Sequence, residues 1–496
     1  LTVTATVAAD YSLSAAPVSI AQGGSGSTAV TISRTNFTGD VTLSLSGAPT
    51  GVTGSFNPNP ATGTSSTLTL NVGSGVAPGT YTLTVNGSGT PGTRSTTFTL
   101  TVTGTGGGSG VTLNYAACPA AEKPVWLAYQ DGNGPWTRVT STNDIYSFTF
   151  TTGRAGLAYV LLPGAGVTSE VHVQYYTSAE FSGNINFCGP VPPPPPTGKT
   201  INGTVAGVTS SQAARISLNG GSAFTAPAIP GFPAFQIMGV QNGTFDLIGY
   251  RGAFSFGNTT TDRAIIRRDQ NIPDGGSVGT MDFEGAESFA VQSATISIAG
   301  LAAGDTTSAI LNYQTGASCT GTAASLSFTS GNAGSSFTAY GIPAAQQRPS
   351  DFHNIFVTAS SSTSSRIVSE TFHTFGARTV TLGGELNPSI TSLGGPYKRL
   401  QAAYTLPPGY NLATTFNYDD NSRFVYISAT FAYLGGSSVT LGLPDFTAVS
   451  GWDNSWPPPP SSTVDTVVTA IGSTGTPCTE GARTVIATRT GSFTVR

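Results

Sequence analysis

Charge is what this sequence has least of. Only 9% of its 496 residues are Asp, Glu, Lys or Arg, against roughly a quarter in ordinary soluble domains. The lysines are Lys123, Lys199 and Lys398 alone. An amphipathic surface helix needs a charged or polar face opposite its apolar stripe, so a largely helical fold is excluded. The net charge is −4 and no basic block occurs, which argues against nucleic acid as a partner. No apolar run reaches the roughly 18 residues of a spanning helix, so no membrane span is expected.

Cysteine is scarce too: Cys118, Cys188, Cys319 and Cys478, with no C-x-x-C pair. Metal knuckles need close pairs, whereas an even number of distant cysteines suits disulfides in an exported protein. Three connectivities are open, and the order of domains favours Cys118–Cys188 with Cys319–Cys478. A secreted, extracellular or cell-surface protein is the expectation. The first residue is Leu1, and a signal peptide or longer segment upstream is expected.

What the chain has in quantity is Ser, Thr, Asn and Gly, with 63 glycines and 32 prolines. Thr suits a half-exposed pleated strand, and Gly and Pro punctuate short strands as turns. At about 100 residues per small β-sandwich this length holds several. The fold class expected is all-β, a serial array of Ig-like or Greek-key sandwiches joined by Gly- and Pro-rich linkers.

Residues 10–104 carry the clearest alternation, in Thr28–Ser33, Val41–Leu45, Ser66–Val72, Thr80–Val85 and Ser95–Val102. The stretch GDVTLSLSGAPTGVTGSFNPNP (Gly39–Pro60), with SSTLTLNV and GVAPGTYTLTVNG after it, resembles the bacterial immunoglobulin-like repeats of secreted and surface proteins. The resemblance implies a two-sheet sandwich used as spacer, stalk or adhesive module, and no catalytic residue. Residues 111–190 read as a small β-domain bracketed by Cys118 and Cys188, with DGNG (Asp131–Gly134) as its hairpin turn. After the spacer Pro192–Pro196, residues 199–290 contain INGTVAGV and FQIMGVQNGTFDLIGYR (Phe235–Arg251). These resemble the carboxypeptidase-regulatory-like sandwich, an accessory module without peptidase activity. Residues 291–386 and 387–496 are β-rich by the same criteria, with a joint at the Pro and Gly residues of 387–396.

Residues 1–9 stand apart. Leu1–Thr6 reads LTVTAT, and Leu100–Thr105, the last strand of the immunoglobulin-like domain, reads LTVTGT. Leu1, Val3, Ala5 and Val7 would form the inward face of such a strand. Three readings stay open. It is the remnant of a preceding repeat, a donor strand that completes a neighbouring subunit, or a chance match in a Thr/Val-rich chain.

Candidate chemistry is sparse. His353 and His373 lie in strand-like runs and would have to meet across strands to bind a metal; ordinary hydrogen-bonded histidines are the simpler expectation. Gly275–Gly279 matches G-x-S-x-G, but the hydrolase elbow needs a strand before and a helix after it, and PDGGSVGT is turn chemistry. Asp419–Asp420 and Glu284 with Glu287 are the paired acids a glycosidase would use. A solvated turn, or a weak calcium site at the aspartates, competes with that reading. Trp126 belongs in a core, and Trp452 and Trp456 (GWDNSWPPPP) are the candidate glycan contacts.

The expectation is therefore no enzyme and no cofactor. The chain reads as an extracellular structural or adhesive protein, a head-to-tail homo-oligomer in a bacterial surface filament. The alternative is the non-catalytic glycan-binding or stalk region of a secreted protein, with a surface glycan as ligand.

Overall fold

The computed structural model describes residues 8–494, apart from 74–75, 77–78, 104–108, 189–197, 220, 230, 256–257, 317–320 and 332–333. Leu1, Val3, Ala5, Val7 and Cys319 lie outside the described residues, as do most of the two expected linkers. The chain is all-β; the one α-helix among the described residues is the single turn Phe431–Leu434. No helix among them is long and apolar enough to cross a membrane. Two compact units form. One comprises Leu1–Ala116, Trp126–Ala158 and Tyr175–Phe187, the other Ala117–Val125, Tyr159–Gln174 and Cys188–Arg496.

The smaller unit begins with an Ig-like sandwich of two four-stranded sheets. Strict alternation builds it: in Ser25–Thr35 the residues Thr28, Val30 and Ile32 point inward between exposed neighbours. The opening segment is split by Pro17 between the sheets. Asp10–Ala15 pairs antiparallel with Ser25–Thr35. Val18–Ala21 pairs parallel with the last strand, Val18 opposite Leu100 and Ala21 opposite Thr103. Leu100 and Val102 from that strand meet Val30, Ile32, Leu68, Leu70, Leu83 and Val85 in the core.

A second topology then recurs. Ser109–Asn114 is the centre of a three-stranded sheet, antiparallel to Ile145–Phe150 and parallel to Gly183–Asn186. Lys199–Ala206 is flanked likewise by Ala234–Val240 antiparallel and Ser277–Asp282 parallel. Gln292–Ala299 repeats it with Ser336–Gly341 and Arg378–Thr381. In each case the central strand is the first, its antiparallel partner the fourth and its parallel partner the seventh of a seven-strand repeat. The other four strands form the opposing sheet. In the second repeat Ala213–Leu218 pairs with Gly221–Thr225 and Phe245–Ser255, which pairs with Asn258–Gln270. The third repeat does the same with Thr306–Gln314, Ala323–Thr329, Phe352–Ser360 and Ser364–Phe372. Apolar residues at every second position close each sandwich, as Ile201, Val205, Ile216, Leu247, Ile265 and Met281 do in the second.

Candidate functional site: the fourth sandwich and the joints between repeats

The fourth repeat departs from this plan. Its first strand, Leu400–Thr405, buries Leu400, Ala402 and Tyr404 and pairs antiparallel with the fourth, Ser438–Gly442. Ala413–Asp419, Arg423–Thr430, Val464–Thr474 and Arg483–Phe493 form the opposing sheet. No seventh strand follows among the described residues. On the first strand's other side lies Ser389–Ser392, which comes earlier in the chain and runs antiparallel, Ser389 opposite Ala403 and Ser392 opposite Leu400. It offers one partly buried residue, Ile390.

The inner face of the sixth strand becomes less buried toward its end. Val485 and Ala487 are buried, but Arg489, Gly491 and Phe493, next along the same face, are half-buried or exposed. A groove of about 260 Å³ lies between Arg489–Ser492 and Asn387, Pro388 and Ile390, and Thr466 also lines it. The Arg489 guanidinium makes no hydrogen bond or ion pair among the described residues.

Elsewhere in the larger unit, repeats are joined by the interactions that build a single domain. The sixth strand of the second repeat pairs with the third strand of the third, Asn258 opposite Thr329 and Thr259 opposite Phe328. Ile248, Tyr250 and Ala264 of one repeat share an apolar cluster with Tyr313, Ala324, Leu326 and Ile342 of the other. Thr261 Oγ1 donates to the Leu326 carbonyl at 2.6 Å inside it.

At the end of that joint Arg268 donates to Asp246 at 3.0 Å and to Asp351 at 2.5 Å. The Tyr313 hydroxyl donates to the same Asp351 oxygen at 2.6 Å, and the Arg348 N–H at 2.7 Å. Burial of Asp351 works against ionisation, but Arg268, Tyr313 and the Arg348 N–H outweigh it and hold the carboxyl below its usual range. Burial and the Asp351 charge push the Tyr313 phenol up. The third and fourth repeats join sixth strand to sixth strand, Ser364 opposite Arg489 through Glu370 opposite Arg483. Residues 159–174 lie on the fourth repeat. The Thr168 N–H donates to the Ser422 carbonyl at 2.7 Å, and the His172 ring stacks between Tyr159 and Tyr426 at 4.6 and 4.8 Å.

The residues singled out from sequence fall as follows. Cys118 and Cys188 form a disulfide. Glu122 stands beside them, but both thiols are consumed by that bond, so the trio offers no thiolate for a metal. Cys478 is disulfide-bonded, and Cys319, the partner expected for it, lies outside the described residues. His353 and His373 are brought together, yet their ring nitrogens are engaged with backbone. His353 Nε2 accepts from the Ile342 N–H at 3.0 Å and its Nδ1 faces the His373 carbonyl at 3.1 Å; His373 Nδ1 faces the Asp351 carbonyl at 2.6 Å.

Asp420 caps its turn, accepting from the N–H groups of Ser422 and Arg423. Glu284 pairs with Arg251, and Glu287 with Arg267. Ser277 opens a strand, and its hydroxyl accepts from the Gly279 N–H. Trp126 is fully buried. Trp452 and Trp456 are half-buried, with Trp452 packed on Tyr397, Phe446 and Trp456.

Sequence reasoning passed over Lys398. Its side chain is fully buried and its ammonium makes no hydrogen bond among the described residues; desolvation lowers its pKa. It also missed the Arg268–Asp351 pair, whose members are 83 positions apart and carry no local motif.

No family model matches the sequence, and no curated protein matches it either. Among solved structures the chain is similar to domains 4 and 5 of the S-layer protein SbsC, with 25% identity over 19% of this chain and 50% of that one and a TM-score of 0.15. It thus spans half the length of that fragment. An I-band fragment of titin matches at 10% identity over 52% of this chain and 97% of its own, with a TM-score of 0.17. The D00-D0 domain of intimin matches at 9% identity over 52% and 100%, with a TM-score of 0.18. At such TM-scores these likenesses carry no weight for function, and the Ig-like assignment rests on the strand topology above.

Proposed function

We propose that this chain is an extracellular structural protein, not an enzyme, and that it builds a surface or extracellular filament. The observation that carries the reading is the pair of joints in the larger unit. Both joints are made by strand pairing, and that between the second and third repeats adds a shared apolar cluster and a buried ion pair, where a string of independent modules would need only linkers. Such joints resist bending and separation, which is what a load-bearing element requires. The Cys118–Cys188 disulfide agrees with an oxidising, extracellular setting. Electron microscopy of native extracellular material tests the reading: fibres whose repeat matches this chain are expected, and isolated, dispersed molecules under all conditions overturn it.

A second reading, glycan binding, is favoured by one groove. On the outer face of the third repeat, Asn312, Gln314, Asn354, Phe352 and Phe356 line about 210 Å³ without a charged side chain among them. The amides of Asn312 and Gln314 make no hydrogen bond among the described residues, and Phe356 is 41% exposed. Neutral amides beside aromatic rings suit a neutral sugar. A glycan array on the native chain and on Phe356→Ala checks this; equal signals, or none, remove it.

A further inference from the structure

We infer that the crevice around Arg215, in the joint between the second and third repeats, binds the carboxylate of an acidic saccharide. The inference rests on the glycan-binding reading above and deepens it, adding a charged subsite beside the neutral groove at Phe356.

The strand Ala213–Leu218 turns Ala214, Ile216 and Leu218 into the core of the second repeat, so Arg215 and Ser217 between them face outward. Across the sheet Arg215 stands between Phe224 on one neighbouring strand and Tyr250 on the other. The third repeat packs on this face through Ala324 and Leu326. A crevice of about 440 Å³ is left beside that contact, a volume typical of a small-molecule site. Arg215, Ser217, Ser222, Tyr250, Asn312 and Ser325 are its polar lining, and no Asp or Glu lines it among the described residues.

These groups are short of acceptors. The Arg215 guanidinium has no ion pair among the described residues, and its Cζ lies 5.7 Å from the centre of the Phe224 ring. The Tyr250 hydroxyl is fully buried and makes no hydrogen bond of good geometry among them. Burial raises its pKa, while Arg215 and the Ser325 main chain pull it the other way, as donors do. The phenol's own proton is thus left without an acceptor. Ser217 is buried, and its hydroxyl has no partner among the described residues either. A buried donor with nothing to accept from it is costly. A carboxylate set between Arg215 and Tyr250 accepts from both, and its planar pair of oxygens matches the guanidinium. Ser217, two residues along on the same face, adds a third donor.

The surroundings say what carries the carboxylate. Phe224, beside Arg215, is exposed and offers a flat apolar face to a sugar ring. Ser325, Asn312 and Asn354 stand opposite one another on three adjacent strands. That row leads from this crevice into the neutral groove, and Asn312 and Ala323 line both. One cation followed by a line of neutral amides and hydroxyls fits a chain of sugars with an acid at one residue. A run of acidic side chains would need a cation at each step, and the row offers none. Because both repeats line the crevice, the ligand binds only their joined form and holds the joint closed.

Isothermal titration calorimetry on the 1–496 chain tests this. The probes are tetrasaccharides of glucuronate, galacturonate, mannuronate and guluronate, each paired with its methyl ester, which keeps the rings and removes the charge. At least one acid is expected to bind, with its ester about tenfold weaker or more. Arg215→Gln is expected to lose about 10–100-fold of the affinity for the acid and none of that for the ester. Tyr250→Phe should lose about tenfold, yet melt no lower than the unaltered chain without ligand, because it removes a buried hydroxyl that has no acceptor. A lower melting temperature for Tyr250→Phe shows the hydroxyl to be structural and overturns its part in binding. Acid and ester bound alike, or Arg215→Gln binding the acid as the unaltered chain does, overturns the charged subsite and leaves neutral glycan binding at Phe356 standing. Silence from all four acids overturns it as well, and if the glycan array is also blank the glycan-binding reading falls with it.

Discussion

His353 keeps one ring nitrogen as an acceptor and the other as a donor. Its Nε2 receives the Ile342 N–H, so a second proton there would set two donors against each other inside the core. Burial, and more weakly the Arg378 charge, push its pKa down to about 4. The unfolded value is about 6.5, so between these pH values the unfolded chain binds the extra proton and stability rises with pH. The stabilisation is complete above about pH 6.5 and is lost as pH falls through about 4, an amount on the order of 3 kcal/mol. Urea unfolding of the third repeat at pH 7, 5.5 and 4 should follow that slope, and His353→Gln should flatten it. Parallel curves for the two proteins would refute the assignment. Asp351, held below the ordinary carboxylate range, extends the same trend to lower pH.

At the scale of elements, the joint between the second and third repeats depends on Asp351. Asp351→Ala takes from Arg268, whose side chain is 15% exposed, the closer of its two carboxylates, leaving Asp246, and deprives Tyr313 of its acceptor. Removing one member of a buried pair costs about 3–5 kcal/mol. The exposed pair Arg348–Asp269 is the control; Asp269→Ala should change stability by no more than about 1 kcal/mol. Hydrogen exchange in Asn258–Gln270 and Ala323–Thr329 reads the difference locally, because several joined repeats need not unfold as two states.

These elements also mark where sequence reasoning stopped. The strands themselves were legible: so few charges leave alternation and Gly/Pro punctuation as the only pattern, and INGTVAGV or Ser25–Thr35 reads directly as a half-buried strand. The recurrence of one seven-strand topology was not legible. The repeats share strand order without sharing residues, as NINF (Asn184–Phe187), TMDF (Thr280–Phe283) and TVTL (Thr379–Leu382) show for the closing strands. Nor was the pairing of Ser364–Glu370 with Arg483–Arg489, since an edge that meets another repeat carries the same Ser, Thr and Val as one that meets water. Nor was the groove in the fourth repeat legible, because the two segments that line it, Asn387–Ile390 and Arg489–Ser492, lie about a hundred positions apart.

For the whole molecule, the disulfide between Cys118 and Cys188 sets how the chain answers a pull. The two cysteines are 70 positions apart in sequence and their Cα atoms are 4.9 Å apart. Tension entering near the first strand of that repeat crosses directly to the segment after its last. The intervening residues are a loop outside the force path, and they cannot lengthen however far the rest is stretched. At about 3.3–3.6 Å per extended residue, the 70-residue separation withholds roughly 230–250 Å of extension until the bond is cut. Single-molecule stretching before and after adding a reductant should reveal that hidden length as one added increment. A fibre made of such units would yield by opening its joints before it yielded there, and would grow abruptly more extensible on passing into a reducing environment.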